Sequence, residues 1–321
     1  MKTIATPRTW SPKAFTDAVG AAVRAPSIHN TQPWRFRHTG DGVDILLDER
    51  RLLAACDDHG RMARISCGAA AYNLRLALAV TGLPAQYRFG AGRTLLHLWP
   101  DRPRPPTPLE RRLHHQIPRR HTNRGPFADT PVDTAAPHQL AEAVRREGGR
   151  LTFVTDEAAL HRVAGLVRAA DAQLRADPAR SAEQRAWSIA ADHRVEGVGP
   201  AAAGAAPHPD ELMTRRDFGG PVLEMTRDPA RRPVVAVLGV LGAEPNDAVR
   251  AGMALQSALL TAADLGLTTA LYSQPTEVPA LRERLRRTVD PLHDPQLVLR
   301  FGYAPRTCFT NRRPIADVIE P

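Results

Sequence analysis

Three arginines and a threonine stand within six residues in "RRHTNR", Arg119 to Arg124. Guanidinium forks match phosphate oxygens two at a time, and a hydroxyl or a backbone N–H adds further donors. Such a cluster is costly to bury unless an anion neutralises it; left in water, the same residues are an ordinary basic loop. A second run, "RAPSIHNTQPWRFR" (Arg24 to Arg37), gathers Pro, Ser, His, Asn, Gln and Trp in a stretch with neither a strand period nor a helix period. Pro26 and Pro33 break regular structure on both sides. It reads as a loop with something to hold, or as one that merely caps a helix. Neither run is accompanied by a Ser–His–Asp order, a His-Glu-x-x-His pair or a P-loop glycine pattern. His114 and His115 have no ligand partner at metal spacing and read as surface.

The elements that must position these runs follow from periodicity and punctuation. "SPKAFTDAVGAAVRA" predicts a helix capped by Ser11 with Pro12 at its first position. "WRFRHTGDGVDILLDE" predicts two strands about a Gly40-Asp41-Gly42 turn, and "YRFGAGRTLLHLWP" another pair. Between them "CGAAAYNLRLALAVTGL" predicts an apolar helix stopped by Gly82. Four prolines in Asp101 to Pro108 predict an extended connector, which divides the chain into residues 1–105 and 106–321. The second part opens with a short helix at Leu109 to Gln116, and helices follow near 137–147, 157–175 and 181–193. Gly197 to Pro209 is rich in small residues and reads as a movable loop. "PVVAVLGVLG" is a buried strand, "DAVRAGMALQSALLTAADLG" a long helix with Asp247 at its cap, and "TTALYS" and "QLVLRFGYA" closing strands. One echo links the two parts: Gly68 precedes Gly82-Leu83 by the same spacing as Gly252 precedes Gly266-Leu267, in both cases through apolar or small residues. That spacing suggests a duplicated unit.

Composition excludes several classes. The net charge of +9 comes almost wholly from arginine, Lys2 and Lys13 being the only lysines, and it is spread from end to end. With no basic helix, zinc-finger spacing or RNA-binding aromatic signature, this argues against nucleic acid. Cys56, Cys67 and Cys308 are too few and too irregular for a disulfide framework or a metal knuckle, and fit a reducing compartment. The first residues lack an apolar signal core, and the longest apolar run, Val234 to Ala243, is too short to span a bilayer. The expectation is a cytoplasmic protein with no metal and no membrane partner.

The motifs themselves resemble a known family. "R-H-T-N-R-x-P-F" looks like the phosphate-gripping segment of FMN-dependent nitroreductases, and "APSIHNTQPWRF" resembles that family's "P-S-x-x-N-x-Q-P-W-x-F" segment. The helix ending in Gly266-Leu267 and the closing "FGYA…RRP" stand where the family has them. The order departs: here the PSxxN segment comes first and the arginine cluster opens the second part, so each part keeps what the other lacks. That is similar to the fused, two-repeat Acg-like branch, in which one chain mimics the usual dimer. The resemblance implies an α+β nitroreductase-like fold, a tandem pseudo-dimer of repeats 1–105 and 106–321. Each repeat would have a mainly antiparallel sheet flanked by helices, with a candidate lid at 187–218.

It also implies one FMN per chain. Arg120, Thr122 and Arg124 would hold its phosphate, joined by Arg313 or Arg312, with Asn311 standing where the family has another basic residue. Pro26, Ser27 and Asn30 would reach the ring or ribityl chain, and His29 would touch flavin or substrate or be a satisfied loop histidine. Gln32 belongs to the same loop and braces it, Trp34 packs in the core, and Ser273 and Gln274 fall where the family's backbone nears flavin N5, a position where the family often has Glu-Gly. The implied activity is ping-pong hydride transfer from NAD(P)H through N5 to a nitro, quinone or enone-type acceptor. Two alternatives stand beside it, a flavin-storing protein whose lid covers the FMN and an FMN-dependent tailoring dehydrogenase or oxidase. A pseudo-dimer needs no partner to complete its site, which favours a monomer and leaves a homodimer open.

Overall fold

A computed structural model of the protein describes residues 9–188, 195–204, 206–208, 211–219, 233–304 and 309–320. The first unit runs α1 (Pro12–Ala22), β1 (Trp34–His38), β2 (Val43–Leu47), α2 (Arg61–Val80), β3 (Ala85–Phe89) and β4 (Thr94–Pro100). After the proline connector come α3 (Pro108–Gln116), α4 (Ala136–Arg146), β5 (Gly149–Phe153), α5 (Glu157–Ala176), α6 (Pro178–Ala186) and α7 (Pro200–Ala203). The chain closes with β6 (Val234–Val240), α8 (Pro245–Asp264), β7 (Thr268–Tyr272), α9 (Gln274–Glu277), α10 (Pro279–Val289), β8 (Asp294–Gly302) and β9 (Ile319–Glu320).

The strands make two sheets with the same internal order. One is β3-β4-β2-β1 and the other β7-β8-β6-β5, and every pair within each set of four is antiparallel. The fold is therefore α+β and built from two copies of one unit. What differs is where chain has been inserted: Gly40 to Gly42 turns β1 into β2, whereas α5, α6, α7 and the segment about them separate β5 from β6. β9, at the very end of the chain, crosses to the first sheet and pairs parallel with β1, Phe36 opposite Ile319.

The repeated helices α2 and α8 pack on each other at their matched glycines. A Cβ on Gly68 would lie 2.0 Å from the Val249 carbonyl oxygen, and one on Gly252 would lie 2.0 Å from that of Ile65. The two contacts are the same contact read in both directions, which places a local twofold axis between the glycines. The neighbouring polar positions repeat too: Asn73 Nδ2 donates to the Ala21 carbonyl in α1, and Ser257 Oγ donates to the Ala143 carbonyl in α4. Apolar side chains of each unit pack on its sheet, with Trp34 fully buried in the first core.

Several local expectations are met and several corrected. Ser11 caps α1 by accepting from the Ala14 N–H, with Pro12 in the first turn. Helix α2 starts at Arg61, ahead of Cys67, where Asp57 accepts from the Met62 and Ala63 N–H groups of its first turn. Asp247 is not the cap of α8: Glu244 is, and its N–H donates to the Asp247 carboxylate. Helix α6 ends at Ala186 rather than continuing to 193, and 189–194 lie outside the described residues, as does Cys308. Within the small-residue stretch, Pro200–Ala203 forms a short helix. Among the described residues no helix is long and apolar enough to cross a membrane.

Candidate functional site

The proline-bounded loop is held in a conformation that side chains resist. His29 and Asn30 within the 3-10 turn Ile28–Asn30, and Gln32 just beyond it, have left-handed backbone, with φ of 45°, 56° and 51°. Each such residue costs on the order of 1 kcal/mol or more and persists only where its surroundings fix it. Here they do. Ser27 Oγ accepts from the Gln32 N–H at 3.0 Å; Asn30 Nδ2 donates to the carbonyls of Gly197 (3.0 Å) and Asn311 (3.1 Å). Asn30 Oδ1 accepts from Arg312 Nη1 at 3.1 Å. Gln32 Nε2 donates to the Val195 carbonyl at 2.8 Å and its Oε1 accepts from the Arg313 N–H at 2.9 Å. A first-unit loop is thus fixed by segments at 195–197 and 311–313. Asn30→Gly keeps the backbone but loses the amide bonds, and is expected to destabilise by about 2 kcal/mol. Asn30→Ala, which also resists positive φ, should cost about 1 kcal/mol more. Urea midpoints of the two variants check the order.

The arginine cluster is seated against the other sheet. Thr122 bridges to Thr269 in β7, and the Asn123 N–H donates to the Thr269 carbonyl at 2.9 Å. The two runs then face each other across one open-mouthed cavity. Pro26, Ser27, His29 and Asn30 line one side, Arg120, Thr122, Arg124 and Ser273 another, and Arg312 comes from the C-terminal segment. Gln32 braces the loop, as its place in the run implied. Two residues expected here are elsewhere. Gln274 is buried at the start of α9. Arg313 turns away, its Nη2 donating to the Asp317 carbonyl at 2.7 Å and its Nε lying 3.6 Å from Glu196, so Arg312 takes the place beside the cluster.

Charge at this end of the cavity is unbalanced. Among the described residues none of Arg120, Arg124 and Arg312 has a carboxylate partner, and Arg120 Nε, Arg120 Nη1 and Arg312 Nε are buried without any hydrogen-bond partner. Burial pulls Arg120 and Arg124 down to about 10, with Arg124 adding repulsion on Arg120. Arg312 falls to about 9 through burial and then the charges of Arg120, Arg24 and Arg124. Orphaned buried donors cost roughly 1–3 kcal/mol each, more when charged. An anion in the cavity would offset the charge of the three guanidinium groups; a neutral ligand would not.

A second arginine pair was not anticipated from sequence. Arg215 is paired with buried Glu211 at 2.5 Å and donates to the Arg124 carbonyl at 2.5 Å. Arg216 is paired with Glu277 at 2.6 Å and reaches His29. Phe218 lies against both runs, 5.2 Å from the Arg124 guanidinium and edge-on to His29 at 5.9 Å. The one available signal is "RRDF", an arginine doublet with an aromatic inside an otherwise small and proline-rich stretch.

No protein-family model matches the chain. A Mycobacterium tuberculosis protein named "Putative NAD(P)H nitroreductase acg" is 32% identical over 313 residues, which is 94% of this chain and 93% of that protein. The chain belongs to the Acg-type NAD(P)H nitroreductase family. A second protein of the same organism, with the same nitroreductase designation, is 33% identical over 312 residues, 93% of this chain and 89% of its own. Among solved structures, a nitroreductase with bound FMN from Desulfitobacterium hafniense is 14% identical, with 65% of this chain and 97% of that one aligned and a TM-score of 0.42. An FMN and NADPH-dependent nitroreductase, NfnB, from a Sphingopyxis species is 20% identical over the same shares, also at 0.42.

In this Acg-type chain the local twofold defines a mirror position for the cavity. The offset fixed by the paired glycines makes Arg250 the counterpart of Ser66, Phe89 of Ser273 and Tyr87 of Leu271. Where Ser66 and Ser273 border open space, the Arg250 guanidinium lies 5.2 Å over the Phe89 ring, and Arg75, paired with Glu147 at 2.7 Å, lies 4.8 Å over Tyr87. At the mirror position these side chains pack on one another.

Proposed function

We propose that the chain is an FMN-binding oxidoreductase of nitroreductase type. It takes hydride from NAD(P)H and delivers it to a nitro-, quinone- or enone-type acceptor, acting as a cytoplasmic monomer whose repeats divide between residues 105 and 106. The observation that carries this reading is a trio of arginines, Arg120 buried and Arg124 and Arg312 half-buried, that has no carboxylate partner among the described residues and lines one end of a cavity walled by both repeats. Arg120, Arg124 and Arg312, with the Thr122 hydroxyl, would hold the phosphate. The strained loop at Pro26, Ser27, His29 and Asn30 and the end of β7 at Ser273 would border the ring. Bound FMN supplies hydride acceptance and donation at N5. The protein's own residues neutralise the anion, fix the ring's walls and exclude water; no protein nucleophile is called for.

The test is direct. Denatured protein should release about one flavin per chain, because Arg250 packs over Phe89 at the mirror position. Two per chain would refute the single site, and none after incubation with FMN would overturn the reading. Anaerobic bleaching by NADH or NADPH then tests the donor. One observation favours a second reading, flavin storage with little turnover: Arg215, Arg216 and Phe218 line the cavity, and Glu211 and Glu277 hold the two arginines in place. Bleaching within seconds at millimolar NAD(P)H rules storage out as the main role.

A further inference from the structure

His29 combines three features that an ordinary loop histidine lacks. Its ring is held at one nitrogen by a cation, its other nitrogen is buried without a partner, and its backbone sits in the left-handed region at φ 45°. Arg216 Nη1 lies 3.2 Å from His29 Nε2. A guanidinium can only donate, so Nε2 must be the acceptor and a neutral ring must carry its proton on Nδ1. That N–H belongs to a residue 6% exposed on the cavity wall, and nothing among the described residues accepts from it.

We propose that His29 is a hydrogen-bond donor to the bound ligand through Nδ1–H, and that Arg216 is the positioning residue that imposes this tautomer. The orientation of Arg216 is itself set within its own repeat, from α9, from the end of β7 and from α6. Its Nη2 is 2.6 Å from Glu277 Oε1 and 3.4 Å from Ser273 Oγ, and its Nη1 donates also to Gln184 Oε1 at 3.2 Å. Burial, then the charges of Arg216 and Arg124, push His29 well below its ordinary value, so the ring stays neutral and keeps one donor and one acceptor. The edge of Phe218, 5.9 Å away, and the left-handed backbone leave the ring little room to rotate. The inference rests on the oxidoreductase reading for the identity of the ligand. It adds that the ligand presents a hydrogen-bond acceptor atom at His29. The flavin ring edge offers such atoms, and so does the oxygen of a nitro group, quinone or enone, where a donor draws electron density away from the atom that receives hydride.

The first arm of the test needs no turnover. In flavin-free protein labelled with 15N-histidine, the signal lost in His29→Asn should show a protonated Nδ1 and an unprotonated Nε2. In Arg216→Met that signal should move toward the Nε2–H form. A protonated Nε2, or an imidazolium, in the wild type overturns the proposal. The second arm uses flavin-loaded protein. His29→Leu removes the donor, whereas His29→Asn tolerates positive φ and places its amide N–H near the original Nδ1–H. If the flavin accepts the bond, Leu moves the flavin midpoint potential to more negative values and Asn restores it. If the second substrate accepts it, the potential stays and kcat/KM for the acceptor falls about tenfold in Leu, with recovery in Asn. Leu and Asn both behaving like wild type in potential and in kcat/KM overturns the donor role. A protein that binds no flavin ends the oxidoreductase reading, and the 15N signal still decides the tautomer.

Discussion

Arg120→Met is expected to weaken FMN binding about a hundredfold while leaving the flavin-free protein as stable as before, or more stable. The two halves of that result have one cause. In the folded chain the Arg120 guanidinium is buried with two of its nitrogens unpartnered and no carboxylate beside it, close enough to Arg124 and Arg312 for their charges to repel. Removing it abolishes a desolvation cost in the empty site. It also removes charge-assisted bonds to the phosphate worth about 3 kcal/mol together, a hundredfold in affinity. Fluorescence titration with FMN and thermal unfolding with and without ligand measure both. Inorganic phosphate at tens of millimolar should raise the unfolding temperature of the wild type and raise that of the variant less. A variant that unfolds several degrees earlier without ligand would mean that Arg120 is a structural residue, and the anion site would have to be given up.

The largest loss of stability is expected at the helix crossing. Gly252→Ala puts a methyl 2.0 Å from the Ile65 carbonyl oxygen and 2.9 Å from the Ala69 nitrogen, and Gly68→Ala does the same against Val249. The obstacle in each case is backbone of the opposing helix, which cannot give way without parting α2 from α8 along their whole contact. An overpacked core contact of this kind costs about 3–5 kcal/mol, a large part of what holds a domain folded. Both variants should fall largely into the insoluble fraction, with any soluble protein showing a urea midpoint far below wild type. Gly40→Ala is the control, since a methyl there meets nothing within 4 Å, and it should change stability by less than about 0.5 kcal/mol. If Gly252→Ala were as stable as that control, the helices would not cross at these glycines.

Sequence made some of this readable and hid the rest for identifiable reasons. The repeat was legible because close helix packing demands glycine at one fixed position, and the spacing Gly68 to Gly82 is copied in Gly252 to Gly266. The two ligand-facing runs were legible because their composition fits neither helix nor strand. Which of two adjacent arginines faces the cavity was not: Arg312 does so because Asn30, far away in sequence, accepts its Nη1. Nor could the left-handed backbone at His29, Asn30 and Gln32 be read, since none is glycine and the bonds that hold them come from residues 195–197 and 311–313. Helix α10, which starts at Pro279, was missed because only Leu281 and Leu285 of it are buried, too few apolar positions to show a helix period. β9 carries no strand pattern, being two residues long and defined only by its pairing with β1.

That last pairing also sets a clock on biosynthesis. Ile319 sits opposite Phe36, so the edge of the first sheet waits for chain made some 280 residues later. At about 5–20 residues per second, the interval on the ribosome is roughly fifteen to fifty-five seconds. Throughout it the loop at 26–33 lacks Arg312 and Arg313, and β1 presents an unpaired edge, the kind of surface that recruits stray strands. A nascent chain stalled before residue 310 would hold nearly all of the protein's core and none of the bonds that close its cavity at that end.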